Sequence, residues 1–260
     1  MKVIADNLNT RNRAYMDALR GRDKNALSAL AGRLGHADMI NIQCSLDGSG
    51  DDDILPWAVE VVQEAAPGCG ISIDSRNVIA VRGALEVVKN PALVNYISMA
   101  EPEDPDELLE LVAASGASLV IRAARATPPS SLEAKLQIIE ELLEWANAAD
   151  IPNERLFADP SVVHLGSGAG QRHLANSTEC IMVLREMVEP PVRTIAWISN
   201  VSTGLPHALG KRVEAAFFLY AAGAGLDAAM VDVLDEDIKQ AVYLVKSFRD
   251  EIIFTPADLA

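Results

Sequence analysis

The stretch Thr194-Ile-Ala-Trp-Ile-Ser-Asn-Val-Ser-Thr-Gly-Leu-Pro-His207 decides the reading of the fold. Its apolar first half has the character of a buried strand, which breaks into Ser199, Asn200 and Ser202 and is ended by Gly204 and Pro206. In a repeating strand and helix architecture such a junction is where ligands bind, because the strand fixes the backbone and the loop after it is free to follow a substrate. Asn200, lifted out of the core there, is the first candidate for chemistry.

The same grammar repeats on both sides of this stretch. Lys2-Val-Ile-Ala5 reads as a strand that exits into Asp6, Asn7 and Asn9, and Met39-Ile-Asn-Ile42 as a second that carries Asn41 and ends at Gln43. Gly70 to Asp74, Leu93 to Met99, Ser118 to Ile121 and Leu156 to Asp159 are the next four, and Leu226 to Asp232 follows the opening stretch as the eighth. Between them lie helical spacings: Arg13 to Leu34, interrupted at Gly21 as two pieces or one bent one, then helices ending near Ala66, Lys89, Ser115, Ala149, Val188, Ala224 and Arg249. Eight alternations in a chain of 260 residues predict an α/β fold, a single (β/α)8 barrel over residues 1–260, with no gap long enough for a second domain.

Composition agrees and excludes other classes. Half of the residues are hydrophobic and only 5% aromatic, which suits aliphatic helices packed around a parallel sheet. The formal net charge of -15, without any Lys/Arg block, argues against a nucleic-acid partner. Cys44, Cys69 and Cys180 are isolated, which fits neither a disulfide framework nor a zinc site and predicts a reducing compartment. No run approaches the roughly 20 apolar residues of a membrane span, and the start of the chain has no apolar signal segment, so a soluble, cytoplasmic protein is expected. Asp51, Asp52 and Asp53 suit the first turn of a helix, where carboxylates meet free amides, better than a metal site, which needs more widely spaced oxygens.

The strand exits supply Asp6, Asn9, Asn41, Asp74, Asn95, Arg122, Asp159, Asn200 and Asp232, all of which a barrel gathers at its C-terminal mouth. Any one polar strand end is readily explained as a partner for its neighbour, but a ring of them is not. Arg122 suits either an anion or an ion pair with a neighbouring aspartate. Amides and carboxylates outnumber cations, so the ring is built to accept hydrogen bonds from a ligand rich in N–H groups. A pterin is one such ligand, since its N3–H and 2-amino group form a fork that one carboxylate accepts side by side, and nucleobases and amidines present similar forks. The glycines of Leu165 to Gln171 have the look of a phosphate cradle without its lysine, and a mobile loop is the expected role.

Asp74-Ser75-Arg76-Asn77, Asn95 with Ile97-Ser98-Met99, Phe157-Ala158-Asp159-Pro160, Ser199-Asn200-Val201-Ser202 and Gly225 to Ala229 resemble, in order and over nearly the whole chain, the strand-end motifs of the pterin-binding methyltransferases. These transfer methyl groups between tetrahydrofolate and a corrinoid. The resemblance implies a pterin-binding barrel in which Asp74, Asn95 and Asp159 hold the pterin edge, Ser199 lines the pocket and Asn200 acts at N5. Asn9, Arg122 and Asp232 are the further binding candidates. It also implies a corrinoid (cobalamin) carried by a partner protein, since the typical base-off cobalamin signature is absent and no residues remain for such a domain, and it makes a homodimer plausible.

Asn200 suits that reaction because a carboxamide donates or accepts, and so stays bonded as N5 passes between its methylated and free states. N5 leaves poorly from 5-methyltetrahydrofolate unless its developing charge is met by a proton or hydrogen bond. The proton is expected from solvent, as no His or Cys sits in a matching strand-end position.

The chain departs from that pattern at Asp6 and Asn7, where a Glu-Arg pair is common, and at Asn41 and Gln43, where an Asp and an Asn are usual. Trp197, in place of a small residue, is expected to pack inside the barrel. Dihydropteroate synthases share this barrel but place a basic residue in the loop after strand seven, and Ser202 to Pro206 has none. The reading is therefore a methyltransferase, and the alternative is a noncatalytic barrel subunit that binds a corrinoid protein.

Overall fold

The structure is a computed structural model and describes residues 1–44, 51–100, 105–127 and 129–259. Eight parallel strands close into a barrel in sequence order: β1 (Lys2–Leu8), β2 (Met39–Gln43), β3 (Gly70–Asp74), β4 (Leu93–Met99), β5 (Ser118–Arg125), β6 (Leu156–Asp159), β7 (Arg193–Trp197) and β8 (Ala228–Val231), which pairs back onto β1. The helices outside them are α1 (Arg13–Gly21), α2 (Lys24–Gly32), α3 (Asp51–Ala65), α4 (Val78–Val87), α5 (Asp106–Ser115), α6 (Leu132–Ala148), α7 (Gly170–Met187), α8 (His207–Gly223) and α9 (Glu236–Phe248). The expected (β/α)8 barrel is the fold observed.

Strand periodicity divides the core in two. Side chains of one parity, among them Ile40, Ile42, Ile71, Ile73, Val94, Leu119 and Ile121, face the helices and form the large outer core. Those of the other parity, Ile4, Met39, Leu93, Val120, Phe157, Ile195, Trp197, Ala228 and Met230, fill the barrel as a separate apolar floor. Trp197 is therefore packing inside the barrel, as expected.

Polar residues begin five of the helices, where first-turn amides have no partner within the helix. Asn12, Asp23, Asn77, Ser131 and Asp235 cap α1, α2, α4, α6 and α9 by accepting N–H groups of the first turn. Asp51, Asp52 and Asp53 occupy the first turn of α3, where their charge complements the helix dipole. The rest of the Ser45 to Asp53 loop, the Glu101 to Asp104 part of the next one, and Pro128 lie outside the described residues.

Several boundaries differ from the expectation: β1 runs on to Leu8 rather than ending at Ala5, β8 is shorter than Leu226 to Asp232, and three more differ for a local reason. The first helical stretch is two helices, and the break is made by Arg22 at φ 47° rather than by Gly21. β5 continues to Arg125 because Met99 at the end of β4 pairs with it. Finally, α8 starts at His207, directly after Pro206, four residues before the expected Lys211. That extra turn matters to the mouth of the barrel.

Candidate active site

One layer above the apolar floor, the inward positions turn polar. Two residues beyond Ile4 stands Asp6, beyond Met39 is Asn41, beyond Leu93 is Asn95, beyond Val120 is Arg122, beyond Phe157 is Asp159 and beyond Met230 is Asp232. β3, which begins the inward face with Gly70, contributes Ser72 and Asp74. The register sets Asn41 beside Ser72, Gln43 beside Asp74, Asp74 beside Asn95 and Arg122 beside Asp159.

A hydrogen-bonded chain crosses four strands. Asn41 Nδ2 donates to Asp6 Oδ1 at 3.0 Å, and Asn41 Oδ1 accepts from Ser72 Oγ and Asn95 Nδ2, each at 3.0 Å. Asn95 Nδ2 also donates to Ser72 Oγ at 2.7 Å. With its amide nitrogen thus committed, Asn95 presents Oδ1, which is buried and has no protein partner. Gln43 donates from Nε2 to Asp74 Oδ2 at 3.1 Å and is itself held by the backbone and hydroxyl of Thr10. Asn41 and Gln43, the two departures on β2, are therefore the supports of Asn95 and Asp74.

Asp159 is almost fully buried. Its Oδ1 accepts the Ser161 N–H at 2.8 Å, and its Oδ2 lies 3.1 Å from Arg122 Nε. The pair is ionic without the alignment of a hydrogen bond, so both Oδ2 and Nε keep unused hydrogen-bonding capacity. The Arg122 guanidinium also sits 4.8 Å from the Tyr96 ring centre and 5.5 Å from that of Trp197, and those two rings meet edge to face. Of the two roles open to Arg122, the ion pair is the one observed. Tyr96 was not legible as part of this group, because the irregular pairing between Val94 and Ile97 turns it inward against the alternation.

Lys135 supports Asp159 from behind. Although it lies on α6 it is fully buried, and its Nζ donates to the carbonyl oxygens of Pro160 at 2.5 Å and Ser161 at 3.2 Å. Ser161 has φ 60°, a conformation uncommon for a residue with a side chain, and this clamp holds the turn whose amide orients Asp159. Burial pushes the Lys135 ammonium below its ordinary pKa.

On the β7–β8–β1 side the mouth opens into a cavity of about 650 Å³ whose lining includes Asp6, Asn7, Asn9, Ser199, Lys211 and Asp232. Lys211 Nζ lies 3.0 Å from Asp232 Oδ2 and 3.2 Å from Glu214 Oε2, and Asn7 Nδ2 donates to Asp232 Oδ1 at 2.5 Å. Burial alone would raise Asp232, but Lys211 and Asn7 outweigh it and hold the carboxyl below its ordinary value. The loop after β7 lacks a basic residue, as read from the sequence, yet Lys211 reaches the mouth from α8. The signal for it was the Lys211 and Glu214 spacing, one helical turn apart, obscured by the late helix start.

Asn200 stands in a single tight turn, Ile198–Ser202, at the end of β7 and is half-buried. Among the described residues nothing hydrogen-bonds its carboxamide. Its neighbour Ser199 has a buried Oγ without a partner. Asn9 instead closes its own turn, donating to Asp6 O and accepting the Arg11 N–H at 2.9 Å. The glycine loop is tied to the Asn200 turn by Leu165 N–H to Val201 O at 2.9 Å. Its Gly170 is required by close approach, since a Cβ there would stand 2.5 Å from the carbonyl oxygens of His164 and Leu165.

Three carboxyls in the mouth are pushed above the ordinary aspartate range by burial: Asp6 to about 7, and Asp74 and Asp159 against the opposing pull of their neighbours. Buried acceptors without hydrogen-bond partners on a barrel rim suit a flat ligand that offers several N–H groups.

The family described as pterin binding enzymes matches residues 47–232, and the chain belongs to it. The chain is 25% identical over 251 residues to the methylcorrinoid:tetrahydrofolate methyltransferase of Eubacterium limosum, with 94% of this chain and 89% of that protein covered. Among solved structures it is similar to the dihydropteroate synthase of Yersinia pestis, with a TM-score of 0.69, 17% identity and coverage of 96% of this chain and 93% of that one. The dihydropteroate synthase of Xanthomonas albilineans gives a TM-score of 0.68 at 16% identity, covering 98% and 94%. At such identity the two structures establish the shared fold alone. Among the described residues no helix is long and apolar enough to cross a membrane.

Proposed function

We propose that the protein moves a methyl group between N5 of tetrahydrofolate and the cobalt of a corrinoid carried by a separate protein. The observation that carries the reading is the set of buried oxygens on the barrel rim that have no hydrogen-bond partner: Asn95 Oδ1, Asp159 Oδ2 and Ser199 Oγ. They lie at positions where the resemblance to pterin-binding methyltransferases places the pterin, and the similarity to the Eubacterium limosum enzyme supports the methyl-transfer reading.

In this reading Asp159 and Asp74 accept the N–H groups of the pterin edge, and Asn95 adds a third acceptor whose orientation is set by Asn41 and Ser72. Arg122 offsets the charge of Asp159 from the side. Ser199, Asn9 and Asp232 line the adjoining cavity and complete the binding set. Asn200, free of other hydrogen bonds among the described residues, is available to N5 in both of its states. The corrinoid partner docks over the mouth, and a homodimer working in the cytoplasm belongs to the same reading.

The test is anaerobic incubation with tetrahydrofolate and methylcobalamin, or a methylated corrinoid protein, followed by assay of 5-methyltetrahydrofolate. Asn200→Ala is expected to bind folate and to lose about 100-fold in transfer rate, the consequence of removing a donor worth ~3 kcal/mol at developing charge. A protein that neither binds folate nor transfers methyl with any corrinoid partner is the noncatalytic barrel instead.

A further inference from the structure

Asp6 is a titratable group in the mouth to which the methyl-transfer reading gives no part. It ends the apolar run of β1, is 9% exposed and lines the cavity that also holds Ser199, the neighbour of Asn200. One carboxyl oxygen accepts Asn41 Nδ2, and through Asn41 it joins the chain that orients Asn95. The other oxygen has no hydrogen-bond partner among the described residues. A carboxyl fixed by one oxygen, with the other unengaged at the edge of a cavity, is placed for proton exchange with whatever fills that cavity.

We propose that Asp6 is a catalytic acid and base that exchanges the N5 proton of the folate during methyl transfer. This rests on the folate reading above, and it replaces solvent as the proton source.

The step balances in either direction. When methyl passes to tetrahydrofolate, the N5 lone pair forms the N–CH3 bond as the Co–CH3 bond breaks with both electrons left on cobalt. The N5–H proton then moves to the Asp6 carboxylate, directly or across one water. In reverse, the Asp6 carboxylic acid returns that proton to N5 as the N–CH3 bond breaks.

The surroundings suit the group to both tasks. Burial raises its pKa to about 7, the Asn41 amide on β2 opposes the rise, and the charges facing it are Asp74 on β3, Arg11 after β1 and Asp232 directly after β8. Asp74 and Asp232 raise it and Arg11 lowers it, while Lys211 is engaged by Asp232 and Glu214. A group that titrates near 7 is half charged at working pH, where proton transfer both ways is most efficient.

The experiment measures folate affinity and the pH dependence of methyl transfer from methylcobalamin to tetrahydrofolate for wild type, Asp6→Asn and Arg11→Gln. In wild type the rate rises with pH through about 7, as the carboxylate forms. Asp6→Asn keeps folate affinity within a few-fold, loses about 100-fold in rate and loses that limb. Arg11→Gln, an exposed substitution, moves the limb to higher pH. A limb unchanged in Asp6→Asn, or unmoved in Arg11→Gln should Asp6→Asn fail to fold, overturns the assignment. So does an Asp6→Asn variant that loses folate affinity in proportion to rate. Wild-type protein that binds no folate refutes the folate reading itself, which is a separate result.

Discussion

Replacing Arg122 by methionine tests the electrostatics of the barrel interior. The side chain is 19% exposed and Asp159, its partner at 3.1 Å, is 1% exposed, so the variant leaves a buried carboxylate without its cation. Breaking such a pair from one side typically costs 3–5 kcal/mol, roughly, unless the orphaned group takes up a proton. Asp159 can do so, because burial already raises its pKa in the folded protein and Arg122 is the first influence opposing that rise.

The sign follows from linkage. A carboxyl whose folded pKa lies above its unfolded value favours folding when protonated, and that contribution is lost as pH rises through the folded pKa. Removing Arg122 raises the folded value further and widens the window. Toward acid pH, as Asp159 takes up a proton, the loss in the variant should shrink toward that of the contacts with Tyr96 and Trp197, partly replaced by the methionine stem, a cost of about 1 kcal/mol. At pH 8 the loss should reach about 3 kcal/mol, each unit of pKa displacement being worth ~1.4 kcal/mol. Urea unfolding of both proteins between pH 5 and 8 measures this. Parallel stability curves, with the variant no worse at pH 8 than at pH 5, would refute the reasoning.

Two further substitutions probe the supports of the site. Lys135→Met leaves the carbonyl oxygens of Pro160 and Ser161 without their donor inside the core, and chemical denaturation should show a loss of about 2–3 kcal/mol. Its folate affinity should fall as well, because the turn that orients Asp159 is released. Lys211→Met removes the cation that holds Asp232 below its ordinary pKa. A carboxyl depressed in the folded state stabilises above its unfolded pKa and stops doing so as pH falls through the folded one. Wild type should therefore carry an acid-dependent loss of stability below about pH 4 that is reduced in the variant, as followed by thermal melts from pH 3 to 6.

The barrel was legible because its signals are local. Apolar strands, polar exits and capped helices recur at short range, so the run from Thr194 through Asn200 to Pro206 announces a strand, a rim and a turn without reference to the rest of the chain. The rim residues Asp6, Asn41, Asn95, Arg122, Asp159 and Asp232 were legible for the same reason, as each follows an apolar inward position by two residues, and Asp74 was legible as the polar end of β3. Residues that reach the mouth by another route were not. Tyr96 enters through an irregular strand pairing, Lys211 through a helix that starts early, and Lys135 from a helix face that reads as scaffold.

The sequence by itself determined the alternation of elements, and with it which side chains line the barrel, since a period of two admits one inward set. Partnership was decided by tertiary structure alone. Whether Arg122 stands free or pairs with Asp159, which atom Asn95 presents, and whether Asp6 titrates near neutrality depend on burial and on neighbours brought from other strands. Those interactions act through space over a few ångströms, whereas the residues hydrogen-bonded across the rim stand 23 or more positions apart in the chain.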